Sequence, residues 1–329
     1  METVRKVLLG EVLTEEEAFG LMRAMMAGEV SPVKVAGVLT AMALRGEAPS
    51  EIAAMARAMR EAALALKVNR RPLLDIVGTG GDQKGLLNLS TLGALVAAAG
   101  GVAVAKHGNR AASSKAGSAD LLEALGVNLE ASPERVGEAI EELGFGFLFA
   151  RLFHPAMRHV APVRAELGIR TVFNLLGPLT NPAGADRYVL GVFSPNWLSP
   201  MAEALGRLGA RGLVVHGEGA DELVLGENQM VEVGKGAYTL TAEEVGLRRF
   251  PLEALKGGSP EENAQLAKRI LKGEERGPHA QGVALAAGAG LYVAGKAASI
   301  REGVRLAQEV LASGEAYGLL ERYVAFLRG

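Results

Sequence analysis

Three short polar segments of this 329-residue chain each follow an apolar run and carry groups that can bind ions. The first, Gly-Thr-Gly-Gly-Asp at residues 78–82, misses the dinucleotide pattern G-x-G-x-x-G because Gln83 stands at its sixth position. No Gly-Lys-Ser/Thr follows, so the phosphate-loop pattern fails as well. Glycines let backbone N–H groups approach an anion, but the Asp82 carboxylate would repel a bare phosphate. Asp82 therefore indicates a ribose hydroxyl or a bound cation nearby; the alternative is an ordinary tight turn.

Polar residues also begin the apolar helix that is predicted next. Asn88, Ser90 and Thr91 stand where the first free N–H groups of that helix lie. Those N–H groups and the positive end of the helix dipole attract anions, so this helix start is a candidate phosphate site. The alternative is simple N-capping by Asn88 or Ser90.

The second polar segment, residues 106–115, holds three cations, two serines and one asparagine, and Gly-Ser-Ala-Asp follows at 117–120. Such a set favours a polyanion. A solvated surface loop is the alternative, but these polar residues interrupt an otherwise apolar sequence. We therefore expect a polyanion loop here.

The third polar segment, residues 216–222, ends in the adjacent carboxylates of Asp221 and Glu222. Such a pair suits Mg²⁺, which is usually bound by one or two carboxylates together with substrate phosphates. A hydrated acidic loop is one alternative. A glycosidase pair of carboxylates is another, but it leaves the two phosphate-type loops unexplained.

A fourth polar patch, residues 154–168, contains Arg164, and a helix is predicted over residues 155–170. A guanidinium there can grip a carboxylate through two parallel hydrogen bonds, worth ~1.5–3 kcal/mol when shielded from water. The alternative is a surface arginine, as on most helices. His154 and His159 lack the spacing of paired metal ligands on a helix, so no zinc site is indicated.

The elements that position these groups follow from the hydrophobic pattern. Residues 1–66 are predicted to be helices only, with a capping box from Thr14 to Glu17 and a helix start at Pro32. Methionines at helical spacing there, Met22 and Met55 among them, indicate core packing rather than a cofactor box.

Short apolar strands alternate with helices from residue 72 onward, which predicts a parallel sheet wrapped by helices. Ligands of such sheets collect beyond the carboxyl ends of the strands. The strands are predicted at residues 73–77, 102–105, 145–150, 188–193, 213–216 and 230–233.

The predicted fold class is therefore α/β, with two domains. A small all-helical domain comprises residues 1–66 and about 151–185. A larger α/β domain comprises residues 67–150 and about 186–329, with a mainly parallel central sheet flanked by helices.

Composition excludes several classes of protein. A formal net charge of −2 argues against affinity for nucleic acid or anionic lipid through a basic surface. The 49% hydrophobic content excludes a mostly disordered chain, and the absence of cysteine excludes a disulfide framework and suits a reducing cytosol. The amino terminus leaves no room for the apolar core of a signal peptide.

One uncharged stretch, residues 85–105, is long enough on paper to cross a bilayer. Its polar residues and the Gly100-Gly101 break predict a buried helix followed by a buried strand instead. We therefore expect a cytoplasmic protein with neither a membrane nor a nucleic acid as its partner.

Taken together, the polar segments resemble the anthranilate phosphoribosyltransferase family. The segments that carry the resemblance follow the family's order: residues 78–82, 88–91, 106–126, 149–173, 174–182 and 214–222. The resemblance implies a Mg²⁺-dependent enzyme of tryptophan biosynthesis that joins anthranilate to phosphoribosyl pyrophosphate (PRPP) and releases pyrophosphate. It also implies a homodimer formed through the helical domain.

The resemblance further implies roles for the residues at matching positions. Anthranilate would be contacted by Gly78, Asn109 and Arg164, and Mg²⁺ by Ser90, Asp221 and Glu222. Lys106, His107 and Arg164 would act in catalysis, although the sequence does not establish a general base. PRPP would be contacted by Gly78, Gly81, Asp82, Asn88, Leu89, Ser90, Thr91, Lys106, His107, Gly108, Asn109, Arg110, Ala111, Ala112, Ser113, Ser114 and Ser118.

Two departures and two rival functions remain. Leu86 stands where the family often has a hydroxyl, and residues 218–220 differ from the usual pattern. Pyrimidine nucleoside phosphorylases share the fold but lack the Arg164 and Asn109 contexts. Some relatives bind nucleic acid without transferring ribose, which would require a basic face that the net charge does not favour.

Overall fold

The computed structural model describes residues 2–111 and 115–328. Three of the predicted PRPP contacts, Ala112, Ser113 and Ser114, lie outside the described residues. The first four helices are α1 (Glu2–Leu8), α2 (Glu15–Met26), α3 (Pro32–Arg45) and α4 (Pro49–Glu61).

The amino-terminal helices begin where the sequence predicts. The Thr14 hydroxyl accepts the Glu17 N–H at 3.2 Å, and the Glu17 carboxylate accepts the Thr14 N–H at 3.1 Å, which completes the capping box. Pro32 lies in the first turn of α3, where its missing N–H costs no hydrogen bond. Met22 and Met55 are fully buried, so they belong to the core.

A seven-stranded sheet forms the centre of the α/β part. Its order is β3-β2-β1-β4-β5-β6-β7. The first five strands in that order are parallel, and β6 and β7 are antiparallel. The strands are β1 (Leu73–Gly78), β2 (Ala103–Gly108), β3 (Phe145–Phe149), β4 (Arg187–Gly191), β5 (Arg211–Gly217), β6 (Glu227–Glu232) and β7 (Gly236–Thr241).

Helices cover this sheet, so the predicted fold class is confirmed. On one face α5 and α13 pack closely, because a Cβ atom at Gly93 would lie only 2.8 Å from the Cβ of Ala286. The remaining helices are α5 (Leu89–Ala99), α6 (Ser118–Ala124), α7 (Pro133–Leu143), α8 (Ala150–Phe153), α9 (Ala161–Leu167), α10 (Val172–Leu176), α11 (Leu198–Arg207), α12 (Pro260–Leu271), α13 (Pro278–Val293), α14 (Ile300–Ser313) and α15 (Glu315–Phe326).

Three details differ from the sequence-based expectation. Strand β2 continues through Gly108, so Lys106 and His107 are strand residues rather than loop residues. The helix predicted over residues 155–170 is a 3₁₀ helix, Pro155–His159, followed by the short α9, which ends at Gly168 with φ +60°. Strand β7 was not predicted, although its residues 237–241 alternate small and polar residues with Tyr238 and Leu240.

The long uncharged stretch folds as α5 followed by β2, as predicted, and both elements are largely buried. Within residues 2–111 and 115–328, no helix is long and apolar enough to cross a membrane. Helices α9 and α10 pack against α3 and α4, which returns the chain to the amino-terminal helices. The division into two domains at the stated boundaries stays a prediction.

Candidate active site

A cleft of about 990 Å³ lies where the carboxyl ends of β1 and β2 face α8, α9 and α10. It brings together residues from all four polar segments. Asp82 does not line the cleft, and the Leu89 side chain is buried in the apolar core. The predicted site residues that line it are Gly78, Gly81, Asn88, Ser90, Thr91, Lys106, His107, Gly108, Asn109, Arg110, Ala111, Ser118, Arg164, Asp221 and Glu222.

The glycine loop after β1 lies directly against the acidic segment after β5. A Cβ atom at Gly78 would lie 2.4 Å from the Asp221 carboxylate, so only glycine fits there. Gly80 and Gly81 both have φ above +70°, which L side chains rarely adopt, and Gly80 donates its N–H to the Asp221 carboxylate. The loop thus holds the Asp221 side chain at the carboxyl end of β1.

The acidic segment carries more negative charge than its protein surroundings offset. Burial, with Asp82 and Glu222 nearby, holds the pKa of Asp221 well above its usual range. Burial raises the pKa of Glu222 to about 7, although Ser90 donates its backbone N–H to that carboxylate at 3.2 Å. Because the three carboxylates repel one another, each one disfavours the charged form of its neighbours.

These residues fit Mg²⁺. A hard divalent cation takes oxygen ligands and relieves crowding among carboxylates, and Mg²⁺ keeps several waters and bridges to substrate phosphates. Across the described residues, no cluster of three or more His, Asp or Glu side chains forms a ready metal cage.

The start of α5 presents polar atoms that the described protein does not use. Asn88 is the residue before the helix, but its side chain makes no capping hydrogen bond; its Nδ2 donates instead to Ala116 O at 3.0 Å. Within the described ranges, Asn88 Oδ1 and Thr91 Oγ1 are buried without a hydrogen-bond partner. A buried polar atom without a partner is costly, so these two atoms indicate a ligand.

Lys106 and His107 lie deep in the cleft because β2 continues through Gly108 and carries both residues to the carboxyl end of the sheet. The Lys106 ammonium donates to His107 O at 3.2 Å, and burial lowers the Lys106 pKa against the pull of Asp75, Glu222 and Asp221. Of these three carboxylates, Asp75 opposes the lowering of the Lys106 pKa most strongly. The Lys106 amine is thus held in a poorly solvated position beside three carboxylates.

His107 forms a pair with His154 across the boundary between the sheet and the helical segments. Their Nε2 atoms are 3.2 Å apart, and His107 Nδ1 lies 3.2 Å from Gly177 O. Burial lowers the pKa of His107 well below its usual range and that of His154 to about 4. Both imidazoles are therefore neutral at neutral pH.

Arg164 on α9 supplies a cation on the opposite side of the cleft. Its guanidinium lies 5.0 Å from the centre of the Phe173 ring, and burial lowers its pKa. In the part of the chain that is described, no carboxylate lies within 4.0 Å of it. Its charge is thus available to a carboxylate from outside the protein.

The loop after β2 is arranged differently from the sequence-based picture. The Arg110 guanidinium pairs with Asp120 at 3.0 Å and with Glu123 at 2.7 Å, so this cation is already neutralised. Ser118 donates its hydroxyl to Asn109 O at 3.1 Å, and a Cβ atom at Gly108 would collide with that hydroxyl. The loop therefore offers its backbone and Ser118 to a ligand more readily than the Arg110 charge.

Several residues of the cleft were missed by reasoning from the sequence. Arg170 donates to Gly81 O and lies 4.2 Å from the Phe193 ring centre, which links the segment after α9 to the glycine loop. Arg151 and Arg158 also line the cleft. Their clustering with Arg164 after β3 was a usable signal, but basic residues on short helices are usually solvated.

Two models of known protein families match this chain, and both agree with the fold and the cleft described above. Residues 70–317 match a model described as a glycosyl transferase family, a/b domain, and residues 1–63 match the helical bundle domain of a glycosyl transferase family. The fold and the site are therefore those of a glycosyltransferase built from a helical bundle and an α/β part.

Individual relatives narrow the class. The chain is 83% identical over 328 residues to an anthranilate phosphoribosyltransferase of Thermus thermophilus, with 100% of each chain covered, and a crystal structure of the Thermus thermophilus enzyme superposes with a TM-score of 0.99 at 82% identity over 100% of each chain. The anthranilate phosphoribosyltransferase of Saccharomyces cerevisiae, solved with PRPP and Mg, is 27% identical with a TM-score of 0.92, covering 99% of this chain and 97% of the yeast chain. This chain belongs to the anthranilate phosphoribosyltransferase family.

Proposed function

We propose that the chain transfers the 5-phosphoribosyl group of PRPP to the amine of anthranilate and releases pyrophosphate, as a step of tryptophan biosynthesis. One observation carries the proposal: a single cleft joins the glycine and acidic loops at the sheet edge to Arg164, a cation with no carboxylate of the described residues within 4.0 Å. The first group suits a diphosphate with its metal, and Arg164 suits the carboxylate of an aromatic acid.

Ser90, Asp221 and Glu222 would hold Mg²⁺, with Asp82 beside them. When bound there, the ion supplies charge neutralisation on the departing pyrophosphate, a contribution of several kcal/mol. The carboxylates themselves align the acidic segment against the glycine loop through the contact between Gly80 and Asp221.

The protein's own groups bind and orient the two substrates. At the start of α5, the Thr91 hydroxyl donates to a phosphate oxygen, and Asn88 Oδ1 accepts from a ribose hydroxyl; neither atom has a hydrogen-bond partner among the described residues. Lys106 neutralises part of the charge that grows on pyrophosphate as the bond to the ribose breaks. Because this lysine is poorly solvated, its charge acts more strongly than it would in water.

Arg164 orients anthranilate by pairing with its carboxylate, and Phe173 packs against the guanidinium. The amine then attacks the ribose carbon from the face opposite pyrophosphate, and the amine loses a proton. His107 lines the cleft, but Gly177 O and His154 Nε2 lie within hydrogen-bond distance of its two ring nitrogens and burial disfavours its charged form, so we assign no general base and the proton passes to water or to the released pyrophosphate. Positioning the two reactants contributes roughly 7–11 kcal/mol, and no nucleophilic side chain is needed.

The test is an anthranilate fluorescence assay with purified protein. Fluorescence should fall only when protein, PRPP, anthranilate and Mg²⁺ are all present, and pyrophosphate should appear in equal amount. A folded protein that leaves anthranilate unchanged, or one that consumes it without PRPP, contradicts the proposal. Uridine with inorganic phosphate serves as a control for the phosphorylase alternative and should give no product.

The proposal includes a homodimer through the helical domain. Val33 and Leu44 are 83% and 84% exposed, and they lie three turns apart on one face of α3. Leu8 on α1 is exposed and lies against Gly37 of α3, so it extends the apolar patch, and Leu9 and Val12, which follow it in the chain, are exposed as well. A patch of this kind on a folded domain indicates a protein interface.

Light scattering tests the dimer. The parent should have the mass of two chains, and Leu44→Glu with Val33→Glu should have the mass of one, with little change in helix content. Leu64→Glu, at an exposed apolar residue outside α1 and α3, is the matched control and should leave the mass unchanged. A parent of single-chain mass contradicts the dimer. The cytoplasmic location stays a prediction.

A further inference from the structure

Strands β1 and β2 separate before they reach the cleft. They are paired only at Leu73↔Ala103 and Leu74↔Val104. On its other side β1 stays paired with β4 through Gly78↔Gly191, and β2 stays paired with β3 through Gly108↔Phe149. The sheet therefore has a local gap between its two central active-site strands.

Two buried side chains fill this gap. The Asp75 carboxylate accepts the His107 N–H at 3.2 Å, and Asn181 Nδ2 donates to Ala105 O at 2.8 Å. The same Nδ2 donates to the other oxygen of Asp75, also at 2.8 Å. Backbone groups that β1 would satisfy in a regular parallel ladder are thus satisfied by side chains.

Burying these two polar side chains between β1 and β2 lowers the stability of the fold. Asp75 is 0% exposed and Asn181 is 1% exposed, and burying a carboxylate in an apolar strand disfavours its charged form. Burial accordingly raises the pKa of Asp75 to about 6. A continued backbone ladder between apolar residues would hold the strands together without that cost, so the pair indicates a purpose at the cleft.

The charged neighbours of Asp75 identify that purpose. Lys106 on β2 attracts Asp75, and the other carboxylates that act on Lys106 are Asp221 and Glu222, beyond β5. His107 is the titratable neighbour on the same strand, and Arg60 on α4 acts on His107 as a further cation. When a metal engages Asp221 and Glu222, Asp75 is, among the described residues, the carboxylate left to balance Lys106.

We infer that Asp75 and Asn181 are positioning residues which keep β1 and β2 apart, place Lys106 and His107 in the cleft, and leave Lys106 one dedicated counter-charge. This inference rests on the proposed function, because it assigns Lys106 to PRPP. Neither residue lines the cleft; both act through Lys106 and His107.

Asp75→Asn tests the inference, with Asp186→Asn as its matched control. Asp186 accepts the Leu73 N–H at 2.8 Å at the opposite end of β1, so both variants remove one carboxylate that bonds the backbone beside this strand. Calorimetry of Mg·PRPP binding without anthranilate is the first measurement. Asp75→Asn should weaken binding about tenfold, because Lys106 and His107 are no longer held in place, and Asp186→Asn should not.

The pH profile of kcat/KM for PRPP is the second measurement. Loss of the Asp75 charge makes the Lys106 cation less stable, so the alkaline limb should move to lower pH by about one unit. The limb should stay in place in Asp186→Asn, even though its melting temperature falls. Parent-like affinity and an unmoved limb in folded Asp75→Asn would overturn the inference.

Asn181→Ala provides a second route to the same answer. It removes the amide but keeps the carboxylate, so PRPP binding should weaken severalfold while the alkaline limb does not move. Unchanged binding in this variant overturns the spacing role. Failure of both variants to fold also overturns the inference, because the pair would then serve the fold. A parent that binds Mg·PRPP but leaves anthranilate unchanged contradicts the proposed function instead.

Discussion

The central sheet has an amino edge and a carboxyl edge, at the two ends of its parallel strands, and the two differ in how their charges are balanced. At the amino edge, Arg70 donates to the carbonyls of Ile140 and Glu141 at the end of α7, and with Lys296 it lines a surface hollow of about 280 Å³. Cations there complement the negative ends of helices. At the carboxyl edge, carboxylates crowd one another and polar atoms lack partners. Departures from local stability therefore mark the edge that binds ligands.

The largest expected effect comes from removing the uncompensated carboxylates. Asp221→Asn with Glu222→Gln should lower kcat/KM by roughly 10²–10³-fold, because the Mg²⁺ that would offset the charge on pyrophosphate is no longer held. The measurement is a Mg²⁺ titration of initial rate. Glu218→Gln, on the same segment, is the control and should keep the Mg²⁺ response of the parent. A double variant with normal Mg²⁺ dependence would show that these carboxylates do not hold the metal.

Arg164→Ala should produce the next largest effect. Loss of one charge-assisted carboxylate contact of ~1.5–3 kcal/mol predicts a roughly 10- to 150-fold higher KM for anthranilate. Binding of Mg·PRPP, measured by calorimetry, should stay within a factor of two or so, because Arg164 lies on the other side of the cleft. Equal weakening of both substrates would instead indicate a general disruption of α9.

The third prediction concerns stability without ligands. The folded-state pKa of Glu222, about 7, lies above its unfolded value, so this group contributes stability at low pH that is lost as pH rises through 7. Glu222→Gln should therefore melt higher than the parent at pH 8, by on the order of a few degrees, and the difference should shrink toward pH 4.5. Calorimetric melting at the two pH values measures it. A difference independent of pH contradicts the assignment.

The smallest effect is expected at the amino edge. Arg70→Ala should cost about 0.3–1 kcal/mol of unfolding free energy through the end of α7, with kcat and both KM values unchanged. Urea denaturation and the fluorescence assay measure the two quantities. A marked loss of activity would show that the two edges are coupled and would break the contrast between them.

Much of the fold followed from periodicity alone. The capping box at Thr14, the helix after Asn88 and the apolar run at residues 73–77 each depend on neighbours along the chain. Strand β7 was missed because its side chains are mostly exposed, so burial leaves no clear alternation in its sequence. Asp75 was missed for another reason: its partners, Asn181 and His107, are far from it in sequence.

The sequence by itself determined that strands alternate with helices, and that polar segments at residues 78–82, 106–115 and 216–222 follow strand ends. Only the tertiary structure decided how these segments meet. A Cβ atom at Gly191 would lie 1.7 Å from Asp221 O, so the chain after β5 crosses the end of β4 to reach β1 only because glycine stands there. Contacts between residues distant in sequence depend on shape and on the burial of charge, and neither leaves a periodic signal in the chain.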